Sequence, residues 1–256
     1  MVAEDGGVRP AMIAVPDLVA RIDAGLRARA RPERAAGEKA YLKSSLDHYG
    51  TSVPGVRAAV LEVLRPLHID HDRAVALAEA LWANPVHEHR QAAVEVLEAH
   101  VDDLHARDIE VLERILREAR TWALSDNLAA SVVGPLVERE PSLVATLDRW
   151  STDDDFWIRR ASLLASLLAL RRGAGDFDRF GRYADAMLDE KEFFIRKAIG
   201  WVLRDTARKR PVLVFDWLLP RVGRASGVTF REAIKPLDDS QRAALLAARL
   251  APGGGR

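Results

Sequence analysis

Cysteine is absent from this chain of 256 residues. Without it the chain can form no disulfide bond, thiolate metal site, iron–sulfur cluster or cysteine nucleophile. No apolar run approaches the ~20 residues that a membrane span requires, and the richest, ASLLASLLAL, ends at Arg171. The opening residues, MVAEDGGVRP, lack the pattern of a signal peptide. We therefore expect a cytoplasmic protein with no membrane partner.

An overall excess of charge is also absent, because 38 Lys and Arg balance 38 Asp and Glu. The charge is unevenly distributed along the chain. Residues 156–235 contain 17 basic and 9 acidic residues, a net charge of +8. Most basic residues are arginines, which suit phosphate recognition, although GC-biased coding produces the same excess. Local charge therefore admits a nucleic-acid partner that the total charge does not predict.

Common catalytic signatures are missing, including HExxH, GxSxG and the phosphate-binding GxxxxGK[ST]. His87-Glu88-His89 contains metal-ligating residue types, but side chains two apart on a helix point about 200° apart. Gly173-Ala174-Gly175 follows a predicted helix rather than a strand, which indicates a turn and not a phosphate cradle. We expect no metal site and no cofactor.

Apolar residues recur at spacings of three and four almost throughout, which predicts an all-α protein. The predicted helices are 16–30, 35–48, 54–66, 71–84, 87–101, 106–119, 122–139, 142–150, 156–172, 176–188, 192–210, 211–221, 229–236 and 239–250. Short connections favour antiparallel helix pairs stacked into a solenoid, as in HEAT and armadillo repeats. A compact bundle is the alternative. We expect one domain over 16–250, with disorder at 1–15 and 251–256.

Tryptophans lie beside charged residues at helical spacing. In the helix that begins near Glu192, one face carries Lys197, Trp201, Arg204 and Arg208. This face combines an indole with three cations, which suits a phosphate-bearing ligand such as a nucleic acid, and we expect the cations to bind its phosphates.

Trp122 and Asp126 are also one turn apart and present an indole and a carboxylate to the same surface. Each residue has a structural alternative: tryptophans commonly pack in helical cores, and Asp126 could pair with an arginine of a neighbouring helix. Their joint occurrence favours a ligand site for an electron-poor, phosphate-bearing molecule.

The segment KEFFIRKAIGWVLR, residues 191–204, resembles the characteristic stretch of the AlkD-type alkylpurine DNA glycosylases, a HEAT-like-repeat family of DNA alkylation repair. Shorter segments resemble the same family: YLKSSLDHYGTSVPGVR, LWANPVHEHRQAA, FWIRRASLL and FREAIK. The resemblance covers about residues 20–250. It implies a HEAT-like-repeat α-solenoid of antiparallel helix pairs with a concave DNA-binding face.

The resemblance implies a monomeric bacterial DNA glycosylase of base excision repair. Such an enzyme hydrolyses the N-glycosidic bond of cationic N3- or N7-alkylated purines in double-stranded DNA, here without flipping the base. Carried over residue by residue, Trp122, Asp126 and Trp201 match the catalytic cleft. Tyr41 matches an N-terminal aromatic wall, and Arg160 matches a phosphate contact.

One departure concerns the motif Trp-Asp-x-x-Asp, which is common in the family. This chain has Ala123 in place of the first aspartate and keeps Trp122 and Asp126. Some members excise bulky adducts of DNA-alkylating antibiotics as a means of self-resistance, and we carry that substrate class as a possibility. The alternative function is a non-catalytic helical-repeat scaffold that binds DNA or protein.

Overall fold

The computed structural model describes residues 13–251 and shows an all-helical protein. Within that range the backbone forms no strand, and its single β-type contact is an isolated bridge between Asp47 and Val86. The all-α prediction is confirmed. The predicted disordered segments lie outside the described residues except for 13–15 and 251, and Val15 already begins the first helix.

The chain divides into two compact units, Met1–His100 (unit 1) and Val101–Arg256 (unit 2). The described helices of unit 1 are α1 (Val15–Arg27), α2 (Pro32–Leu42), α3 (Val53–Leu64), α4 (His71–Trp82) and α5 (His87–Ala99). Those of unit 2 are α6 (Ile109–Ala119), α7 (Trp122–Asn127), α8 (Gly134–Arg139), α9 (Val144–Trp150), α10 (Phe156–Leu164), α11 (Leu167–Arg171), α12 (Phe177–Ala186), α13 (Phe193–Ala207), α14 (Pro211–Leu218), α15 (Gly227–Ala233) and α16 (Asp239–Leu250). That one domain spans 16–250 stays a prediction.

The predicted helix 122–139 is not a regular α-helix. A π-helical turn, Leu128–Val133, separates α7 from α8 directly before Pro135. Proline lacks the N–H that would bond the carbonyl four residues earlier, and its ring clashes with that carbonyl in a regular helix. The π turn lets the chain continue without this clash.

The predicted helix 156–172 is also divided, into α10 and α11, at Ala165 and Ser166. The interruption brings the carbonyl of Ala165 against Gly134, where a Cβ atom would lie 2.5 Å from the carbonyl oxygen. Any larger residue at position 134 would force the two segments apart. Close backbone packing therefore sets the irregular geometry beside α7.

The core of unit 2 lies around α13, which packs against α10, α11, α14 and α15. Its inner face buries Ile195, Ala198, Ile199, Val202 and Leu203. Full burial of each large aliphatic side chain contributes about 1.5–3 kcal/mol. The apolar face of this helix thus fixes which residues its opposite face presents to solvent.

An ionic network connects α6 with α9 in unit 2. The carboxylate of Glu113 accepts hydrogen bonds from Arg149, Arg117 and the indole N–H of Trp150. These bonds, with that from Arg149 the largest cause, lower the pKa of Glu113 to about 2 although burial acts in the opposite direction. Glu113 therefore stays ionised in the folded protein except in strong acid.

In unit 1, α1 buries Leu18, Ile22 and Leu26 and packs against α3 and α4. By contrast, α2 buries none of its residues. Its start is held by polar contacts to the segment that precedes α3, where the N–H of Arg31 donates to the Tyr49 carbonyl at 2.9 Å. Polar groups rather than apolar packing therefore hold this helix in place.

Candidate active site

A buried ion pair joins Asp126 of α7 to Arg160 of α10. Arg160 Nε donates to Asp126 Oδ1 at 2.7 Å, and Nη2 donates to Oδ2 at 2.6 Å. The remaining arm, Nη1, donates to the backbone carbonyl of Phe194 in the first turn of α13. The Arg160 side chain is 3% exposed and that of Asp126 is 13% exposed. One guanidinium thus connects three helices.

This geometry gives Arg160 a place other than the phosphate contact that the sequence predicts. All three guanidinium nitrogens donate inside the protein, and at 3% exposure the side chain does not reach a phosphate in solvent. The arrangement favours a positioning role, in which Arg160 fixes the orientation of the Asp126 carboxylate. It also matches the structural alternative in which Asp126 pairs with an arginine of a neighbouring helix.

The Asp126 carboxylate can still accept hydrogen bonds from a ligand. An ionised carboxylate has about four acceptor positions, and Arg160 uses two of them. Trp122, one turn earlier at the start of α7, is exposed. The Thr121 hydroxyl caps α7 by accepting from the N–H of Ala123, which fixes where the helix presents Trp122. The indole and the carboxylate therefore occupy one helix side, as their spacing predicts.

A cluster of aromatic rings includes Phe194, which lies beside the guanidinium of Arg160. The rings of Trp157 and Phe194 have centroids 5.0 Å apart, and Phe156 lies 4.6 Å from Trp157. The Arg160 guanidinium carbon lies 5.9 Å from the Phe194 ring centroid. The Phe194 ring places apolar surface beside the guanidinium, and a less polar environment strengthens the ion pair. Trp157 is buried and packs against Phe194 rather than facing solvent.

Trp201, on α13, is oriented by a carboxylate four residues later. Its indole N–H donates to Asp205 Oδ2 at 3.2 Å. Asp205 is buried and also accepts from Arg171 at 2.8 Å and from Arg204 at 3.2 Å. Sequence reasoning missed Asp205, although the spacing Trp-x-x-x-Asp is the one that singled out Trp122 and Asp126.

Arg204, a predicted DNA contact, is paired with two carboxylates. It bonds Asp205 and, through Nη1, Glu232 of α15. Hydrogen bonds from Lys235 and Arg204 lower the pKa of Glu232. The positive charge of Arg204 is therefore largely compensated by these two carboxylates.

Lys197 and Arg208, the other two predicted cations of this helix face, are exposed. In the part of the chain that the structure describes, neither forms an ion pair. Lys197 Nζ instead lies 5.8 Å from the Phe193 ring centroid. These two charges remain available to phosphates on either side of Trp201.

Many other arginines of the basic stretch are paired within unit 2. The pairs are Arg159 with Glu190, Arg171 with Asp205, Arg172 with Glu138, Arg221 with Asp185, and Arg224 with Asp185 and Asp189. The net charge of +8 for residues 156–235 therefore overstates how many basic side chains face solvent without a carboxylate partner.

Tyr41 belongs to unit 1, near the end of α2, and is 74% exposed. Its exposure is consistent with a ligand-contacting aromatic side chain and not with a packing role. That it forms an aromatic wall stays a prediction. Within residues 13–251, no helix has both the length and the apolar character that crossing a membrane requires.

Solved structures with similar folds come from two bacteria. A predicted DNA alkylation repair enzyme from Enterococcus faecalis is 23% identical with a TM-score of 0.73, over 82% of this chain and 98% of that one. AlkD2 from Streptococcus mutans is 17% identical with a TM-score of 0.61, over 88% and 100% of the two chains. The structure of smu.31 from Streptococcus mutans UA159 is 17% identical with a TM-score of 0.59, over the same shares. No protein with a curated description matches the sequence.

These likenesses place the chain in the class of all-helical folds that AlkD2 represents. The sequence itself matches the model of a family described as DNA alkylation repair enzyme over residues 22–237. The chain belongs to this DNA alkylation repair enzyme family, which confirms the resemblance seen in residues 191–204.

Proposed function

We propose that this protein is a DNA glycosylase that hydrolyses the N-glycosidic bond of cationic N3- or N7-alkylated purines in double-stranded DNA. The observation that carries the proposal is the Asp126 carboxylate, which Arg160 fixes at both oxygens one turn after the exposed Trp122. A carboxylate fixed in this way stabilises positive charge without having to reorganise during the reaction.

The chemistry requires little acid catalysis, because an alkylated purine already carries the positive charge that makes it a leaving group. The bond between C1′ and the purine nitrogen breaks, and the electron pair leaves with the base, which becomes neutral. Positive charge develops on the sugar, where the Asp126 carboxylate stabilises it and accepts a hydrogen bond from the attacking water. The water oxygen bonds to C1′ and its proton is released, leaving an abasic sugar.

Trp122 and Trp201 supply aromatic faces for the cationic base and sugar. Each cation–π contact of this kind contributes roughly 0.5–2 kcal/mol. The hydrogen bond to Asp205 holds the Trp201 indole in one orientation, so its face need not be ordered when DNA binds. Neither role requires the base to leave the stack, which agrees with a non-flipping mechanism.

DNA backbone contacts come from the exposed cations beside Trp201, Lys197 and Arg208. Arg204 contributes less than the sequence predicts, because Asp205 and Glu232 compensate its charge. Tyr41 of unit 1 adds an aromatic contact to the DNA. Ala123 leaves more space beside Trp122 than an aspartate would, which favours bulky adducts, including those of DNA-alkylating antibiotics, among the substrates.

The second candidate is a non-catalytic scaffold that binds DNA or protein. The buried Asp126–Arg160 pair favours it, because a side-chain pair that connects three helices has a sufficient structural purpose. The two candidates differ in whether Asp126 acts on a bound lesion.

The direct test is an excision assay on methylated duplex DNA. We expect the purified protein to release 7-methylguanine or 3-methyladenine, measured by chromatography of the free base, at a rate above spontaneous depurination in a protein-free sample. A duplex containing a bulky N7-guanine adduct, assayed in parallel, tests the proposed substrate range. Binding to both duplexes with no release of base above the spontaneous rate would favour the scaffold.

The affinity for duplex DNA should fall as the salt concentration rises, and Lys197 and Arg208 should contribute to the steepness of that fall. Each phosphate contact releases condensed counterions, so Lys197→Gln and Arg208→Gln should each reduce the slope of log affinity against log salt by about 1. Fluorescence anisotropy over a salt series measures these slopes. Arg224→Gln is the matched control, because this exposed arginine is already paired with Asp185 and Asp189. Equal slopes for all three variants would contradict the assignment.

A further inference from the structure

Three side chains of unit 1 that offer metal-ligand atoms converge at a buried point. They are Glu38 of α2, His48 of the segment before α3, and Glu88 of the first turn of α5, with one ligand atom of each within 4.8 Å of the others. Glu38 Oε2 and His48 Nδ1 are 3.7 Å apart. Among residues 13–251, no other group of three or more His, Cys, Asp or Glu side chains is close enough together to hold a metal ion.

His48 points to a missing ligand. Its side chain is 1% exposed, and neither ring nitrogen has a hydrogen-bond partner. Glu38 Oε2 is also buried without a hydrogen-bond partner. Buried polar groups left in this condition cost about 1–3 kcal/mol each, so their persistence together requires an explanation. A cation between these atoms would satisfy both of them.

Backbone hydrogen bonds hold the Glu88 carboxylate in one orientation, as a metal ligand requires. Its fully buried carboxylate accepts from the backbone N–H groups of Tyr49, Gly50 and Thr51 at 2.6–3.1 Å. Such bonds from outside the coordination sphere orient metal-ligating carboxylates. The His48 ring stacks on His87, with centroids 4.6 Å apart and planes inclined by 7°. This stacking fixes the orientation of the His48 imidazole.

We propose that Glu38, His48 and Glu88 bind a divalent transition-metal ion of the zinc class. Imidazole nitrogen together with carboxylate oxygen is a donor set suited to such metals. The two carboxylates carry a charge of −2, of which Arg34 offsets part at Glu38 Oε1 at 3.2 Å, and the cation balances the rest. Metal–ligand bonds of about 2.1 Å place tetrahedral ligand atoms about 3.4 Å apart, so atoms that now lie within 4.8 Å of one another approach by up to about 1.4 Å on binding.

The site is structural in this proposal. It connects α2, which buries no residue, to α5, and so it supplies the anchoring that apolar packing does not. Sequence reasoning set aside His87-Glu88-His89, and the two histidines do diverge: His87 stacks on His48, whereas His89 Nε2 lies 2.7 Å from Asp23. The proposed ligand set takes one residue from that motif and two from elsewhere, which no local spacing reveals.

The test is titration of the tag-free full chain with Zn²⁺ after dialysis against a chelator, by isothermal titration calorimetry. We expect one ion per chain, and a rise of the apparent Tm by roughly 5–10 °C at a hundredfold excess over Kd. Amide hydrogen exchange should slow in α2 when Zn²⁺ is bound. His48→Gln and Glu38→Gln should each weaken binding by ~100-fold, the upper range known even for supporting residues.

His68→Gln is the matched control, because this histidine of unit 1 is exposed and lies outside the group. It should bind Zn²⁺ as the wild type does. No Zn²⁺ heat and no Tm shift in the wild type would overturn the proposal. Unchanged affinity in His48→Gln, or an equal loss in His68→Gln, would also overturn it. Glu88→Gln is avoided because its carboxylate holds three backbone N–H groups.

Discussion

Asp126→Asn should reduce the single-turnover rate of 7-methylguanine excision by ~10²–10³-fold, the usual effect of removing one preorganised electrostatic group. The substitution keeps the size of the side chain but removes the negative charge that faces the developing sugar cation. Because this interaction strengthens in the transition state, it should appear in the rate constant rather than in DNA affinity. Affinity for undamaged duplex should hold or increase, since a carboxylate near phosphates repels them.

Asp126→Asn also disturbs the pair with Arg160, so a stability control is required. Glu113→Gln provides it, because Glu113 is 17% exposed against 13% for Asp126 and is likewise held by arginine, through Arg149 at 2.6 and 3.1 Å. We expect Glu113→Gln to lose stability but to excise at the wild-type rate below its Tm. An unchanged excision rate in Asp126→Asn would assign Asp126 to structure alone. Equal losses in both variants would attribute the effect to stability.

Arg160→Met should lower the free energy of unfolding by about 3–5 kcal/mol, the range for removing one partner of a buried ion pair. The variant leaves the Asp126 carboxylate without its guanidinium and the Phe194 carbonyl without its donor. Urea unfolding followed by tryptophan fluorescence measures the change. Five of the six tryptophans lie after residue 100, so the signal reports mainly on unit 2.

Arg172, directly after α11, is the control for Arg160. It pairs with Glu138 through two hydrogen bonds of 3.0 and 3.1 Å, but the two side chains are 56% and 38% exposed. Arg172→Met should therefore cost about 1 kcal/mol or less. The double variant Asp126→Leu with Arg160→Met should recover part of the loss, because an apolar pair carries no desolvated charge. If Arg160→Met costs no more than Arg172→Met, the buried pair does not hold the three helices.

Helix positions could be predicted from the sequence because helical periodicity is a local property. Each predicted segment overlaps a described helix, and caps such as Asp155 before α10 lie where the residue types indicate. The two divided segments depended on non-local packing. Pro135 indicates in the sequence that the predicted helix 122–139 is interrupted. The approach of Gly134 to Ala165, in contrast, arises only when the helices pack.

The placement of the candidate site residues divides in the same way into local and non-local causes. Trp122 and Asp126 share one helix side because four residues make about one turn. The partner of Arg160 could not be predicted, because the residue type alone does not show whether a guanidinium is solvated or buried. With 38 basic and 38 acidic residues, many pairings are available, and packing selects among them.

The sequence by itself determined the helical class, the helix positions, the family and the indole–carboxylate spacing at Trp122 and Asp126. Only the tertiary structure decided that Arg160 serves Asp126 over a separation of 34 residues. It also brought Glu38 and His48 to Glu88 of a distant helix. The physical reason is that periodicity and capping act within a few residues, whereas ion pairs and ligand sets depend on which surfaces the buried apolar faces leave in contact.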